Sequence, residues 1–170
     1  LRCAEVLAAR RGTLIGAMLR DAGKTPSEGD VEVSEAIDFA AYYARSFDAF
    51  EAEGAALIAE PLGTVLETPP WNFPLAIPAG GVLAALMAGN TVILKPAPEA
   101  VLTSWHLCNA LWDAGVPKDA LQFLPTTDDA VGQSLVTDDR VASVILTGAY
   151  ATGRMFKRWK PALRLLAETS

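Results

Sequence analysis

The sequence predicts an α/β fold, a doubly wound and mostly parallel sheet preceded by N-terminal helices. Three observations lead there. Short β-branched and aliphatic runs at 64–67, 91–94, 121–124, 142–146 and 163–167 alternate with stretches of helical periodicity, the pattern of parallel strands joined by crossover helices. The stretch Thr68 to Pro96, TPPWNFPLAIPAGGVLAALMAGNTVILKP, compresses an extended segment, a turn, a helix and a second strand into one βαβ unit. The first fifty residues repeat apolar side chains at helical spacing.

Taken in order, Leu1 to Ala22 reads as one amphipathic helix, with Val6, Leu7, Leu14, Ile15, Met18 and Leu19 opposite Arg10, Arg11 and Arg20, and Gly23 closes it. Lys24 to Gly29 reads as a loop. Val31 to Glu53 returns to helical spacing through Val33, Ile37, Ala40, Tyr43 and Phe47, acidic early and basic later, as a helix dipole favours. Glu53 to Gly63 is a connection with a short extended piece at Ala56 to Ala59. Thr64 to Glu67 is the first strand. Pro69 and Pro70 impose an extended path, because each ring locks its own φ and Pro70 keeps Pro69 out of the helical region. Trp71-Asn72 make a turn, Pro74 and Pro78 stand where a helix begins, and Gly89-Asn90 end it. Thr91 to Leu94 is a buried-type strand that delivers Lys95 to its end. Helices are expected over Ala100 to Ala114, Asp128 to Val136 and Thr152 to Trp159, and strands over Leu121 to Leu124, Ala142 to Leu146 and Leu163 to Ala167. The domain division places an N-terminal helical segment at 1–55 and an incomplete Rossmann-like domain at 56–170. Leu1 opens inside a helical pattern without an N-cap and Ser170 directly follows a strand-like run, so a chain truncated at both ends is expected.

Bulk properties narrow the function. A chain of 170 residues that is 51% hydrophobic can bury a core. The net charge of −6 argues against a nucleic-acid partner, which requires a basic face. The two cysteines, Cys3 and Cys108, stand in no metal-ligand spacing, so no metal is expected; reduced thiols and a cytoplasmic protein are. No apolar run reaches the roughly 18 residues of a membrane-spanning helix.

Several residues combine chemistry with a useful position. The Asn72 amide, held at a rigid turn, can donate to an oxygen that gains negative charge, or can merely satisfy nearby backbone. Lys95 at a strand end faces either a cleft or the surface. Thr147-Gly148 closes a strand ahead of a helix, where backbone donors can meet phosphate or form an ordinary turn. Glu168 is either a base or a solvated charge. Glu35 and Asp38 lie on a helix face of solvated type. Cys3 and Cys108 read as structural thiols, and the single histidine, His106, as a bystander.

PWNFPL followed by AAL.AGN.V..KPA, together with DAGVPKDALQFLP, LTG at Leu146 to Gly148 and the terminal LLAETS, resembles the aldehyde dehydrogenase superfamily. AGKTPSEGDVEVSEAIDFAAYYA looks most like one branch, the glutamate γ-semialdehyde (pyrroline-5-carboxylate) dehydrogenase module of bifunctional proline utilization A proteins. The resemblance implies an NAD-binding domain in which Pro69, Pro70, Trp71, Lys95, Glu99, Gly132, Thr147 and Gly148 contact the cofactor, with Lys95 on the adenosine ribose. It implies that Asn72 helps form the oxyanion hole, that Glu168 is the general base for thioester hydrolysis, and that the nucleophilic cysteine lies downstream of this chain, which alone should be inactive. Glu35 would approach the amino end of the small-molecule aldehyde substrate. The intact protein would be a homo-oligomer, and FAD would enter only with a proline dehydrogenase half that these residues do not reveal. Four positions depart from the family pattern: Pro98 precedes Glu99 where the family's glutamate usually stands, Thr126 and Asp128 replace glycine-rich loop residues, and Ala149 replaces the serine of T-G-S. The alternatives are another semialdehyde or aliphatic aldehyde dehydrogenase, or a nucleotide-binding scaffold with degraded catalysis.

Overall fold

The computed structural model describes residues 1–52, 54, 60–127 and 129–170. The extended piece expected at Ala56 to Ala59 and the acidic residue Asp128 lie outside the described residues. The elements are α1 (Arg2–Ala9), α2 (Arg11–Asp21), α3 (Pro26–Ala52), β1 (Thr64–Thr68), α4 (Ala76–Met87), β2 (Thr91–Leu94), α5 (Val101–Asp113), β3 (Leu121–Phe123), α6 (Ala130–Thr137), β4 (Val141–Gly148), α7 (Tyr150–Trp159) and β5 (Leu165–Thr169).

The five strands form one parallel sheet in the order β3-β2-β1-β4-β5. The chain leaves β1 toward β2 and β3, then returns past β1 to lay down β4 and β5. The direction of winding therefore reverses between β1 and β4, the place where sheets of this type open a crevice. Alternation along the strands separates two cores. Val65, Val92, Leu94 and Leu121 face α4 and α5, and the same core takes in Leu7, Leu14, Met18, Val33, Leu75, Leu107 and Leu111. Leu66, Val144 and Leu146 face the other way, against Val136, Phe156 and Leu163. The layers are thus α1–α3 outside α4 and α5, then the sheet, then α6 and α7.

Local chemistry explains most boundaries. Gly89 closes α4 at φ +79, a left-handed value that suits glycine, and the Asn90 N–H returns to the Ala85 carbonyl at 3.0 Å. The Asn90 side chain accepts from Leu62 N–H (2.7 Å) and Gly63 N–H (3.1 Å) while donating to Ala85 O (3.1 Å), so it ties the exit of α4 to the approach to β1.

Three expectations are corrected. The helix expected over Leu1 to Ala22 is broken at Arg10, whose side chain reaches the Asp113 carboxylate on α5; the sequence carries no breaker there, and the interruption coincides with that long-range ion pair. Most of the loop expected at Lys24 to Gly29 is helix, since α3 begins at Pro26. Thr25-Pro26-Ser27-Glu28 is a capping box: the Thr25 N–H and hydroxyl donate to Glu28 Oε2 at 2.8 and 2.7 Å, and proline occupies the first helical position. The last strand lies two residues later than expected, because Leu163 turns into the α6/α7 core instead of pairing in the sheet, so Glu168 sits inside β5.

Candidate active site

The residues singled out from the sequence leave the sheet from one edge. Pro69 to Asn72 follow β1, Lys95 follows β2, Gly132 lies on the helix that follows β3, Thr147 and Gly148 end β4, and Glu168 is the penultimate residue of β5. All five strands are parallel, so these positions share the carboxyl edge, beside the reversal between β1 and β4.

Strand alternation assigns them to two sides of that edge. Ile93 packs with the α6/α7 core, and Lys95, two residues on, faces the same way. Lys95 is 7% exposed, and its N–H donates to the Glu67 carbonyl at 2.9 Å. A Cβ added to Gly132 would stand 2.8 Å from the Thr127 carbonyl oxygen and 3.9 Å from Lys95 Cε. Glycine is therefore required where the loop after β3 folds back on α6, beside the lysine stem. On the opposite side, Ile145 packs toward α4 and α5, which turns Thr147 and its register partner Glu168 toward the side occupied by the β1–α4 turn. Thr68 Oγ donates to the Ile145 carbonyl at 2.8 Å and fixes the end of β1 to β4. Glu168 is exposed and Thr147 half-buried.

The β1–α4 turn presents its polar group on a firm base. Pro69, Pro74 and Leu75 are buried, whereas Trp71, Asn72 and Phe73 are exposed. The α4 N-terminus has no cap from its own flanking side chain. Instead Glu32 of α3, 1% exposed, accepts from Leu75 N–H at 3.0 Å and Ala76 N–H at 3.2 Å. Lys24 Nζ lies 2.9 Å from the other Glu32 oxygen, at hydrogen-bond distance but without hydrogen-bond alignment, and 4.4 Å from the centroid of the Phe73 ring.

Two helix N-termini adjoin the crevice, and they differ. Asp129 caps α6, accepting from Val131 N–H at 2.9 Å, and that bond holds its carboxyl below the usual aspartate range. A carboxylate thus already occupies this donor end. Ala149 precedes α7 and supplies no side-chain cap; Tyr150 N–H reaches the Ser170 carbonyl at 3.4 Å and Thr152 N–H the Ala149 carbonyl at 2.9 Å, so among the first-turn donors it is Ala151 N–H that stays open to an incoming anion.

The remaining candidates stand apart. Glu99 is exposed in a 3₁₀ turn, Pro98–Ala100, just past Lys95. Glu35 is exposed on α3, one turn beyond Glu32, and Asp38 is exposed as well. Neither cysteine lies at the carboxyl edge. Cys108 is buried on α5, and burial pushes its thiol up to about 12; Cys3 is half-buried on α1 and is also raised by burial. A nucleophilic thiolate requires the opposite surroundings. Among the described residues no group of histidine, cysteine and carboxylate side chains could hold a metal ion, and no helix is long and apolar enough to cross a membrane.

Three groups escaped the sequence reading: the buried Glu32 and Glu67 and the half-buried Lys24. Lys24 and Glu32 sit in stretches that look like a loop and a solvated helix face. The partners of Glu32 are 43 and 44 residues away, so no local pattern announces it.

Comparison with known proteins follows the same outline. The profile of the Aldehyde dehydrogenase family matches residues 1–168. The chain is 41% identical over 158 residues to the bifunctional protein PutA of Klebsiella aerogenes, covering 92% of this chain and 12% of that one. It is 39% identical over 168 residues to the 1-pyrroline-5-carboxylate dehydrogenase of Staphylococcus saprophyticus, covering 93% and 33%. The solved structure of proline utilization A from Corynebacterium freiburgense superposes with a TM-score of 0.93 at 44% identity over 99% of this chain and 17% of its own. The chain therefore spans a third or less of the length of these relatives.

Proposed function

Because the chain belongs to the aldehyde dehydrogenase family, we propose that it supplies the nucleotide-binding part, with its N-terminal helices, of an enzyme that oxidises L-glutamate γ-semialdehyde to glutamate. The observation that carries this reading is the meeting of Asn72, Lys95, Thr147-Gly148 and Glu168 at one carboxyl edge of the sheet. The substrate assignment rests on similarity to a 1-pyrroline-5-carboxylate dehydrogenase and to PutA proteins.

The crevice suits a nicotinamide dinucleotide in two respects. Lys95 and Gly132 stand together beside α6, where the loop after β3 closes on the helix, and Ala151 N–H at the α7 N-terminus is open to a pyrophosphate oxygen. When bound, the dinucleotide supplies the hydride acceptor. Lys95 donates to a ribose hydroxyl, with Pro69 to Trp71 and the backbone at Thr147-Gly148 lining the path to the sheet edge; Glu99 stands ready as a second ribose contact. On the other side of the edge, the Asn72 amide donates to the oxygen that becomes negative when a thiolate adds to the aldehyde carbon. Glu168 accepts the proton of the water that cleaves the resulting thioester. The thiolate comes from a cysteine outside these 170 residues, since Cys3 and Cys108 are remote and hard to ionise. The chain by itself has no turnover. Glu35 faces the substrate's amino end. Two free thiols accord with a reducing, cytoplasmic setting, and the intact enzyme is a homo-oligomer.

A second reading, a scaffold with weakened cofactor binding, is favoured by one observation, the Asp129 carboxylate on the α6 N-terminus. Calorimetric titration of the intact enzyme with NAD and with NADP separates the two. Micromolar to low-millimolar binding that Lys95→Met weakens by about 10–100-fold, the worth of a charged hydrogen bond, supports the enzyme. No binding at millimolar cofactor supports the scaffold. Assays with glutamate semialdehyde beside simple aliphatic aldehydes then test the substrate, and equal kcat/KM for both would remove the glutamate assignment.

A further inference from the structure

The turn that presents Asn72 is anchored by residues far away in sequence, and the prolines explain why it needs them. An α-helix leaves its first N–H groups without internal partners. Pro74 and Pro78 remove two donors around the start of α4, and Ala79 N–H already reaches the Leu75 carbonyl at 3.0 Å. The donors left at the helix entrance include Leu75 and Ala76 N–H. Both go to a single carboxylate oxygen of Glu32, inside a site that excludes water. The buried charge is balanced from two directions, by the helix N-terminus it caps and by Lys24 at 2.9 Å. Lys24 in turn lies over the Phe73 ring, the residue directly after Asn72. The turn from Asn72 to Ala76 is thus gripped at its centre by a cation on a ring and at its end by two hydrogen bonds.

We propose that Glu32, steadied by Lys24, is a positioning residue for the oxyanion-binding amide of Asn72. The assignment rests on the aldehyde dehydrogenase reading above and extends it to two residues that touch neither substrate nor cofactor. Displacement of a catalytic group by about 1 Å can lower a rate by about 100-fold, so a grip three residues from the amide is close enough to govern kcat.

The test is a double-mutant cycle in the intact enzyme, with kcat, cofactor Kd and melting temperature measured for each variant. Asn72→Ala is expected to lower kcat by about 10²–10³-fold. Glu32→Ala is expected to lower kcat by about 10–100-fold with a much smaller change in cofactor Kd, because Lys95 and α6 lie on the other side of the sheet and only Pro69 to Trp71 border the loosened turn. Glu32→Gln, which keeps an acceptor oxygen, should recover most of that loss, and Lys24→Met should lower kcat by less than Glu32→Ala. The double variant Glu32→Ala/Asn72→Ala should be no slower than Asn72→Ala alone. A Glu32 effect that multiplies fully onto that of Asn72, or a lowered melting temperature with kcat per folded enzyme intact, overturns the assignment. If Glu32→Ala does not fold, the same cycle run with Lys24→Met decides by the same criterion. An unchanged kcat for Asn72→Ala instead removes the oxyanion role on which the assignment stands, a failure visible before any Glu32 variant is made.

Discussion

At the scale of single residues, Glu67 is the group most at odds with its surroundings. It lies in the middle strand, fully buried on the side facing α4, and neither carboxylate oxygen has a hydrogen-bond partner. Burial raises its pKa well above the ordinary glutamate value of 4.5. Glu67 is felt by Tyr43 of α3, whose own pKa is raised by burial first and by Tyr42 and Glu67 after it. An acid that holds its proton more tightly when folded stabilises the fold fully below its unfolded pKa, and that contribution is lost as pH rises through the folded value. Thermal unfolding of the chain should therefore show stability that declines above about pH 4.5. Glu67→Leu should flatten the decline and, at pH 8, add about 1–3 kcal/mol, the cost of an unpaired buried polar group. A pH profile that Glu67→Leu leaves unaltered would count against a buried neutral acid. Asn72, Lys95 and Glu168 were legible because each follows a turn or a strand-like run. Glu67 was not, since a strand of alternating pattern reads the same whichever face meets a helix.

At the scale of elements, the βαβ unit is held at its lower corner by Asn90. Its side chain makes the three hydrogen bonds that join the end of α4 to the residues before β1. Replacing it with alanine strands two backbone donors and should cost about 2–4 kcal/mol, read from the urea midpoint at unchanged m. A loss below about 0.5 kcal/mol would show that water replaces the amide. Gly81 of α4 adds a second constraint, because a Cβ there would collide with the Glu67 carboxyl. Helix stops such as Gly89-Asn90 were readable from composition. The start of α3 was readable too, from Thr25-Pro26-Ser27-Glu28, though apolar spacing alone misses it because a capping box has no periodicity. The break at Arg10 was not, since Asp113 lies 103 residues away.

At the scale of the whole molecule, the sheet divides two cores of unequal size. The α4/α5 side joins with α1–α3 in one continuous apolar mass, whereas the α6/α7 side is smaller and carries the exposed strand β5. Native-state hydrogen exchange should report two levels of protection, with β1, β2 and α5 opening only on global unfolding and α7 opening locally. Leu107→Ala, at a fully buried site in the larger core, should lower global stability by about 2–5 kcal/mol while leaving α7 exchange unchanged wherever that exchange is local. Uniform protection across both layers would contradict the division.

Periodicity and turn chemistry by themselves determined the alternating α/β plan, the five strands and the carboxyl-edge position of Asn72, Lys95, Thr147-Gly148 and Glu168, because these follow from side-chain patterns within a few residues. Only the tertiary structure decided the strand order that brings those edges to one crevice, the sides of the sheet that separate Lys95 and Gly132 from Asn72 and Glu168, and the buried carboxylates. Those depend on which surfaces meet: Glu32 is a cap only because α3 crosses the α4 N-terminus, and Glu67 is unpaired only because α4 covers it. Contacts between residues tens of positions apart leave no local trace in a chain, so they become visible only once it is folded.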